Sequence, residues 1–121
     1  MSERVAILGA SADPTRFSNQ AFHLLRSHGH TVLPVNPQLD AVADVTVAAT
    51  MDELTGPIDT VTVYLRPALA EPLCDDIIAA RPKRVIFNPG TESQILRERL
   101  QAQGIGVQWE CTLVLLREGR Y

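Results

Sequence analysis

The residues best suited to chemistry come early in the chain. An apolar run over Val5–Leu8 ends in Gly9-Ala10-Ser11, and Thr15, Arg16 and Ser18 follow before an amphipathic stretch begins. Glycine permits the tight turn that carries a strand into a helix. Ala10 and Ser11 are small enough for backbone N–H groups to approach a phosphate, and the Ser11 hydroxyl can donate to it. Ser18 suits the N-cap of the next helix, whose positive end would face the same anion. Arg16 adds a planar, permanently charged fork. Taken one at a time, Ser11 and Ser18 fit plain turn and cap duties equally well, and Arg16 fits a solvated surface. Gly9 keeps the first glycine of a dinucleotide fingerprint, but the later glycines are missing.

Other reactive side chains are more scattered. Cys111 follows the last clear strand, yet only Arg117 downstream is at hand to activate it, and a packed, inert thiol is the commoner state of cysteine. Cys74 lies one position off the apolar stripe of its helix and reads as packing. His23, His28 and His30 are clustered without the spacing of metal ligands, and no metal site is assigned. Glu92 follows Asn-Pro-Gly-Thr at a turn, where it suits either a general base or helix stabilisation. Trp109 reads as core, and Arg97-Glu98-Arg99 as a solvated helix face.

These residues need elements to position them. Arg4–Leu8, Thr31–Val35, Asp59–Leu65, Arg84–Phe87 and Gly106–Trp109 are short apolar runs rich in β-branched residues, and they read as strands. Pro34 suggests an edge or an irregular end for the second of them. Between them, residues from Ser18 to His28 place Ala21, Phe22, Leu24, Leu25 and His28 on one helical stripe, with Gly29 as the stop. Leu69, Leu73, Ile77 and Ala80 mark another helix, with Pro72 tolerated in its first turn. Glu92–Gln103 is a third, closed by Gly104. Val45–Ala48 suggests a short strand, and Thr50–Glu53 has capping-box spacing. Cys111–Leu116 is apolar on every face and is read as a short helix. Alternating strands and helices with short connections imply a single-domain Rossmann-like three-layer α/β sandwich, with a mostly parallel sheet of about five strands. Ligands then bind where the strand order reverses, between the strands ending near Leu8 and Leu65. The second strand ends in Asn36-Pro37, with no carboxylate before Asp40, which disfavours the ribose contact that NAD requires.

The stretch GASADPTRFSNQAFHLLRSHGHTVLPVNP resembles the coenzyme A-binding domain family, in which a G-A-S-x-x-P turn precedes a helix and then P-V-N-P. The likeness continues through DTVTVYLRP, RVIFNPGTES and ECTLVLLREGRY, and so covers almost the whole chain. That family is similar to the nucleotide-binding domain of succinyl-CoA synthetase α subunits. The resemblance implies coenzyme A as ligand, with Gly9, Ala10, Ser11 and Arg16 along the pyrophosphate and Ser18 nearby. It sets Asn36 and Pro37 beside the adenosine, and Leu65, Arg66 and Pro67 at the start of the pantetheine path. It gives Asn88-Pro89-Gly90 as a variant of the family's glycine turn. A cysteine often stands at the position of Cys111, where a thiol could meet the reactive end of the ligand.

Composition limits the alternatives. The chain has 121 residues, 45% of them hydrophobic, and a net charge of −3. That length suits one domain over residues 1–121, and the charge implies neither a nucleic-acid surface nor an acidic partner. The apolar runs are too short for a signal or membrane span, and two cysteines without pairing motifs suit a reducing, cytoplasmic setting. A stand-alone module that binds coenzyme A or an acyl-CoA without catalysis of its own is the leading expectation. An NAD(P)-dependent oxidoreductase or a nucleotide-sensing regulator is the alternative. The apolar Cys111–Leu116 segment could support a homodimer, and a partner protein could supply chemistry.

Overall fold

Strand formation follows the apolar runs closely. In the computed structural model, which describes residues 2–121, β1 spans Arg4–Leu8, β2 Thr31–Val35, β5 Thr60–Val63, β6 Arg84–Phe87 and β7 Gly106–Trp109. All pair in parallel in the order β2-β1-β5-β6-β7. Register aligns Leu8 with Val35 and Val63, and Phe87 with Val63 and Trp109, so the five strands end at one level. The expected α/β sandwich is therefore present. A small antiparallel hairpin of β3 (Ala41–Val42) and β4 (Val45–Thr46) lies beyond β2. After it, Ala48 forms a single parallel bridge to Val35. The Ala48 N–H donates to the Pro34 carbonyl at 3.0 Å, on the side of β2 away from β1. Pro34 thus lacks its N–H where β1 does not need it, which explains a proline in this strand.

Side-chain alternation builds two cores. Val5 and Ile7 face Phe22, Leu25, Val32 and Leu116, under helices α1 (Phe17–Ser27) and α5 (Thr112–Arg117). Ala6 and Leu8 face the other way, with Val61, Val63, Val85 and Phe87, onto α2 (Pro67–Ala70), α3 (Cys74–Ala80) and α4 (Gln94–Ala102). Each fully buried Leu, Ile or Phe stabilises the sandwich by roughly 1.5–3 kcal/mol relative to exposure. The residues after α1 and α4 close those helices alike. His30 N–H reaches the Leu25 carbonyl and Gly29 N–H that of Arg26, while Ile105 and Gly104 do the same at Leu100 and Gln101. Among the described residues no helix is long and apolar enough to cross a membrane.

Several boundaries differ from expectation for physical reasons. Helix α1 starts at Phe17 with Arg16 in the N-cap position, so Ser18 is a buried first-turn residue and not the cap. His28 is exposed at the C-cap and not part of the buried stripe. The helical run after β5 begins at Pro67, which puts Pro72 in its middle. The run accommodates it by tightening into a 3-10 turn at Glu71–Leu73. Helix α4 starts after Ser93, whose Oγ accepts from the Leu96 N–H, so Glu92 stands outside it. Trp109 is 42% exposed with the Arg97 guanidinium 4.8 Å from its ring, and is not core.

The end of the sheet where the strands begin is closed by polar groups. Thr60 Oγ1 donates to Glu3 Oε1, and Arg84 donates to Thr60 and to Gln108. The Arg84 guanidinium lies 4.3 Å from the Tyr121 ring. His30 Nδ1 accepts from the Glu3 N–H at 2.9 Å and needs a neutral imidazole to do so. Burial first, and then nearby cationic groups, hold its pKa below the ordinary 6.5, against the pull of Glu3. The unfolded chain takes up this proton at higher pH than the folded one. Stability present above pH 6.5 is therefore lost as pH falls below it. Thermal midpoints should drop between pH 7.5 and 5, and His30→Gln should flatten the drop; an equal drop in the variant would discount His30.

Candidate functional site

The turn after β1 is built around one left-handed residue. Gly9 has φ +95°, and a Cβ there would stand 2.9 Å from Leu65 Cδ2 and 3.2 Å from the Tyr64 carbonyl carbon. Its N–H and that of Ala10 both donate to the Val35 carbonyl, at 3.0 and 3.1 Å. The next two carbonyls are tied down by side chains. Asn36 Nδ2 donates to Ala10 O at 2.8 Å, and Asn19 Nδ2 donates to Ser11 O at 2.9 Å. With these carbonyls engaged by protein, the N–H groups of Ser11 and Ala12 have no acceptor among the described residues. Asn19 was not singled out from the sequence. Its signal is a buried amide one turn into an amphipathic helix.

The N-terminus of α1 completes the concavity. The N–H groups of Phe17, Ser18 and Asn19 have no carbonyl behind them in the helix, and no side chain caps them. Ser11 Oγ accepts from Asp13 N–H, and the Asp13 carboxylate accepts from the Thr15 N–H and hydroxyl. Those two bonds, led by the backbone one, hold the Asp13 carboxyl below its usual range and occupy it locally. The Arg16 side chain is exposed and forms no ion pair among the described residues. The resulting polar lobe, about 640 Å³, is bordered by Gly9, Ala10, Ser11, Arg16, Ser18 and Tyr64. Burial pushes the Tyr64 phenol up to about 12, and its hydroxyl is itself buried and forms no hydrogen bond among the described residues. Tyr64 was missed from sequence because it reads as one more residue of an apolar strand.

A second, apolar lobe of about 380 Å³ continues past the end of β2. Leu8, Val35, Met51, Leu65, Leu69 and Leu73 form its walls, with Asn36, Pro37 and Gln38 along its rim. Gly9, Asn36, Gln38 and Leu65 border both lobes, which makes one cleft over the ends of β1, β2 and β5. This is where strand order reverses. Eight of the ten expected site residues (Gly9, Ala10, Ser11, Arg16, Ser18, Asn36, Pro37 and Leu65) line it. Arg66 and Pro67 sit at the start of α2 and line neither lobe. The cleft does contain a carboxylate: Asp76, from α3, borders the apolar lobe. This carboxylate comes from a helix, so the residues at the end of β2 give no sign of it.

The other candidates fall outside this cleft. Cys111 is half-buried at the N-cap of α5, Cys74 is buried as the first residue of α3, and neither borders a lobe. Glu92 Oε1 accepts from the Gly90 N–H at 2.9 Å, a bond within its own turn that does not favour a base. None of the three histidines borders either lobe, and among the described residues no group of three metal-ligating side chains assembles. Asn88 is a support. Its Nδ2 donates to Thr62 Oγ1 and the Val63 carbonyl, and its Oδ1 accepts from the Thr112 N–H, all in buried surroundings. Pro89 and Thr91, on the loop it anchors, border the polar lobe.

Comparison with known proteins is consistent with this geometry. Residues 3–117 match the family described as CoA binding domain, and the chain belongs to that family. The uncharacterized protein YneT of Bacillus subtilis is 35% identical over 74 residues, which span 58% of this chain and 55% of that protein. A solved structure of an uncharacterized protein is 37% identical with a TM-score of 0.94, covering 100% of this chain and 99% of that one. A Thermus thermophilus structure is 26% identical with a TM-score of 0.90, over 98% and 90% of the two chains. The dinucleotide-forming acetyl-coenzyme A synthetase 1 of Candidatus Korarchaeum cryptofilum shares the fold. Its TM-score is 0.76 at 21% identity, over 89% of this chain and 25% of the synthetase.

Two measurements probe the surroundings of the cleft. Asn88→Ala strips a buried N–H of its acceptor and should lower unfolding free energy by about 1–3 kcal/mol, read by urea denaturation. An unchanged midpoint would show that the network contributes nothing. A thiol reagent should modify Cys111 in the folded protein and reach Cys74 only on unfolding, because burial both hides the Cys74 thiol and raises its pKa. Equal rates at the two sites would contradict the burial of Cys74.

Proposed function

We propose that this chain is a small binding module for coenzyme A or an acyl-CoA, which it holds non-covalently and without catalysis of its own. The observation that carries the reading is the shape of the cleft. An uncapped helix N-terminus with an unpaired arginine opens directly into an apolar lobe walled by Leu8, Val35, Met51, Leu65, Leu69 and Leu73. A pyrophosphate in the polar lobe accepts from the N–H groups at Ser11–Ala12 and the first turn of α1, with Arg16 closing over its oxygens. Adenosine then runs past Asn36 and Pro37 into the apolar lobe, and the pantetheine arm leaves past Leu65 toward Arg66 and Pro67. Membership of the CoA binding domain family supports the ligand class. The histidines lie off the cleft and Glu92 is held in its own turn, which supports holding over turnover.

Titration calorimetry tests the reading. Coenzyme A should bind more tightly than NAD, NADP or ATP, since only it has both the pyrophosphate and the pantetheine arm. Equal or tighter binding of NAD would overturn the assignment. Arg16→Ala should weaken coenzyme A by about 1.5–3 kcal/mol, the usual worth of a hydrogen bond to a charged group. An unchanged affinity would remove Arg16 from the site.

A further inference from the structure

The apolar lobe contains one acceptor that the fold leaves unused. Of the polar side chains around it, Asn36 donates to the Ala10 carbonyl and accepts from the Gln38 N–H, and the Thr50 hydroxyl donates to the Asp52 carboxylate. Gln38 stands at the border shared with the polar lobe. That leaves Asp76, half-buried in the first turn of α3 and the one ionisable group of the lobe. Its neighbour Asp75 holds Arg99 at 2.8 Å, whereas Asp76 pairs with no cation among the described residues.

Asp76 also stands on the side of the lobe away from the anion-binding turn. It does not border the polar lobe; with Met51 it borders a further hollow of about 320 Å³ that continues past the apolar lobe. A nucleotide with its phosphates at the turn passes its ribose across the shared border and sends its base inward between Leu8, Val35, Met51 and Leu73. In adenine the 6-amino group lies on the six-membered ring, across the base from the nitrogen that carries the ribose, so it is the part that reaches the remote wall. A carboxylate accepts hydrogen bonds and donates none. The adenine 6-amino group offers N–H donors, whereas the 6-oxo group of hypoxanthine or guanine offers lone pairs. A 6-oxopurine would therefore set an oxygen against Asp76 and leave both without a donor.

We propose that Asp76 reads the base in this cleft: its carboxylate accepts from the adenine 6-amino group and makes the site selective for adenine nucleotides over 6-oxopurine ones. The inference rests on the coenzyme A reading for the placement of the base in the apolar lobe, and adds to it the group that recognises that base. Asp76 is a specificity-determining residue and takes no part in holding the phosphates.

Titration calorimetry on the whole chain tests this with ADP and inosine 5′-diphosphate, which exchange the 6-amino for a 6-oxo group. ADP should bind more tightly by roughly ten- to thirtyfold, the lower part of the range for a hydrogen bond to a charged acceptor, because Asp76 is only half-buried. Asp76→Asn should bring the ratio close to one, since a carboxamide can turn to accept from the amino group or to donate to the oxo group. Because the ratio is read within each variant, a general loss of stability does not imitate the result. Asp75→Asn, one position away and bordering neither lobe, should leave the ratio unchanged. A ratio near one in the unaltered protein, a ratio that survives Asp76→Asn, a ratio lost in Asp75→Asn, or no binding of ADP would each overturn the proposal. Failure of the coenzyme A reading looks different: coenzyme A would gain nothing over ADP, while the ratio of ADP to inosine 5′-diphosphate would still respond to Asp76→Asn.

Discussion

The cleft depends on the fate of two carbonyl groups. Once a strand turns into a helix through a left-handed glycine, the peptides that follow can present either oxygen or N–H to the space above the sheet. Here the oxygens of Ala10 and Ser11 are claimed by Asn36 and Asn19, and what remains for a ligand is a set of donors beside a positive helix end. Asn36 comes from the end of β2 and Asn19 from α1, so the turn is braced from both of its structural neighbours. Asn36 also accepts from the Gln38 N–H at 2.8 Å, which sets the path of the chain along the rim. One amide side chain thus shapes both the anion-binding backbone and the border of the apolar lobe.

The two ends of the sheet are finished differently. Where the strands begin, Glu3, His30, Thr60, Arg84 and Gln108 use one another's hydrogen-bonding capacity across the ladder. Where the strands end, side-chain groups fasten the loops to one another and leave a hollow between them. Asn88 is the clearest case: it joins Thr62, Val63 and Thr112, and so secures the exits of β5 and β6 to the start of α5 from within the core. A buried amide with all its bonds made holds its loop in one arrangement, because any shift leaves a polar group unpaired.

Much of this could be read from residue order. The five strands, the glycine stops after α1 and α4, and the chemistry of the Gly9 turn follow from local pattern, since each depends on residues within a few positions of one another. The helix at Thr112–Arg117 was also legible, although its apolar faces allowed a strand. What escaped was non-local or context-dependent. Ser18 looks like a cap, but the cap position falls two residues earlier, at Arg16, and the serine is buried. Pro72 looks like a helix start, but favourable packing of Ala70, Cys74 and Ile77 carries the helical run past it. Trp109 looks like core, but β7 is an edge strand and its last residue meets solvent and Arg97. Asp76 and Tyr64 reach the cleft from separate elements through the fold alone, so no spacing in the sequence marks either.

The shared wall of the cleft has a thermodynamic consequence. Gly9, Asn36, Gln38 and Leu65 belong to both lobes, and the Leu65 side chain occupies the space into which a Cβ on Gly9 would project. Residues that share a partner do not contribute independently. The free energies with which separate fragments occupy the two lobes will therefore not sum to that of a ligand filling both. The departure from additivity measures how far settling Leu65 for one fragment has already prepared the wall for the other.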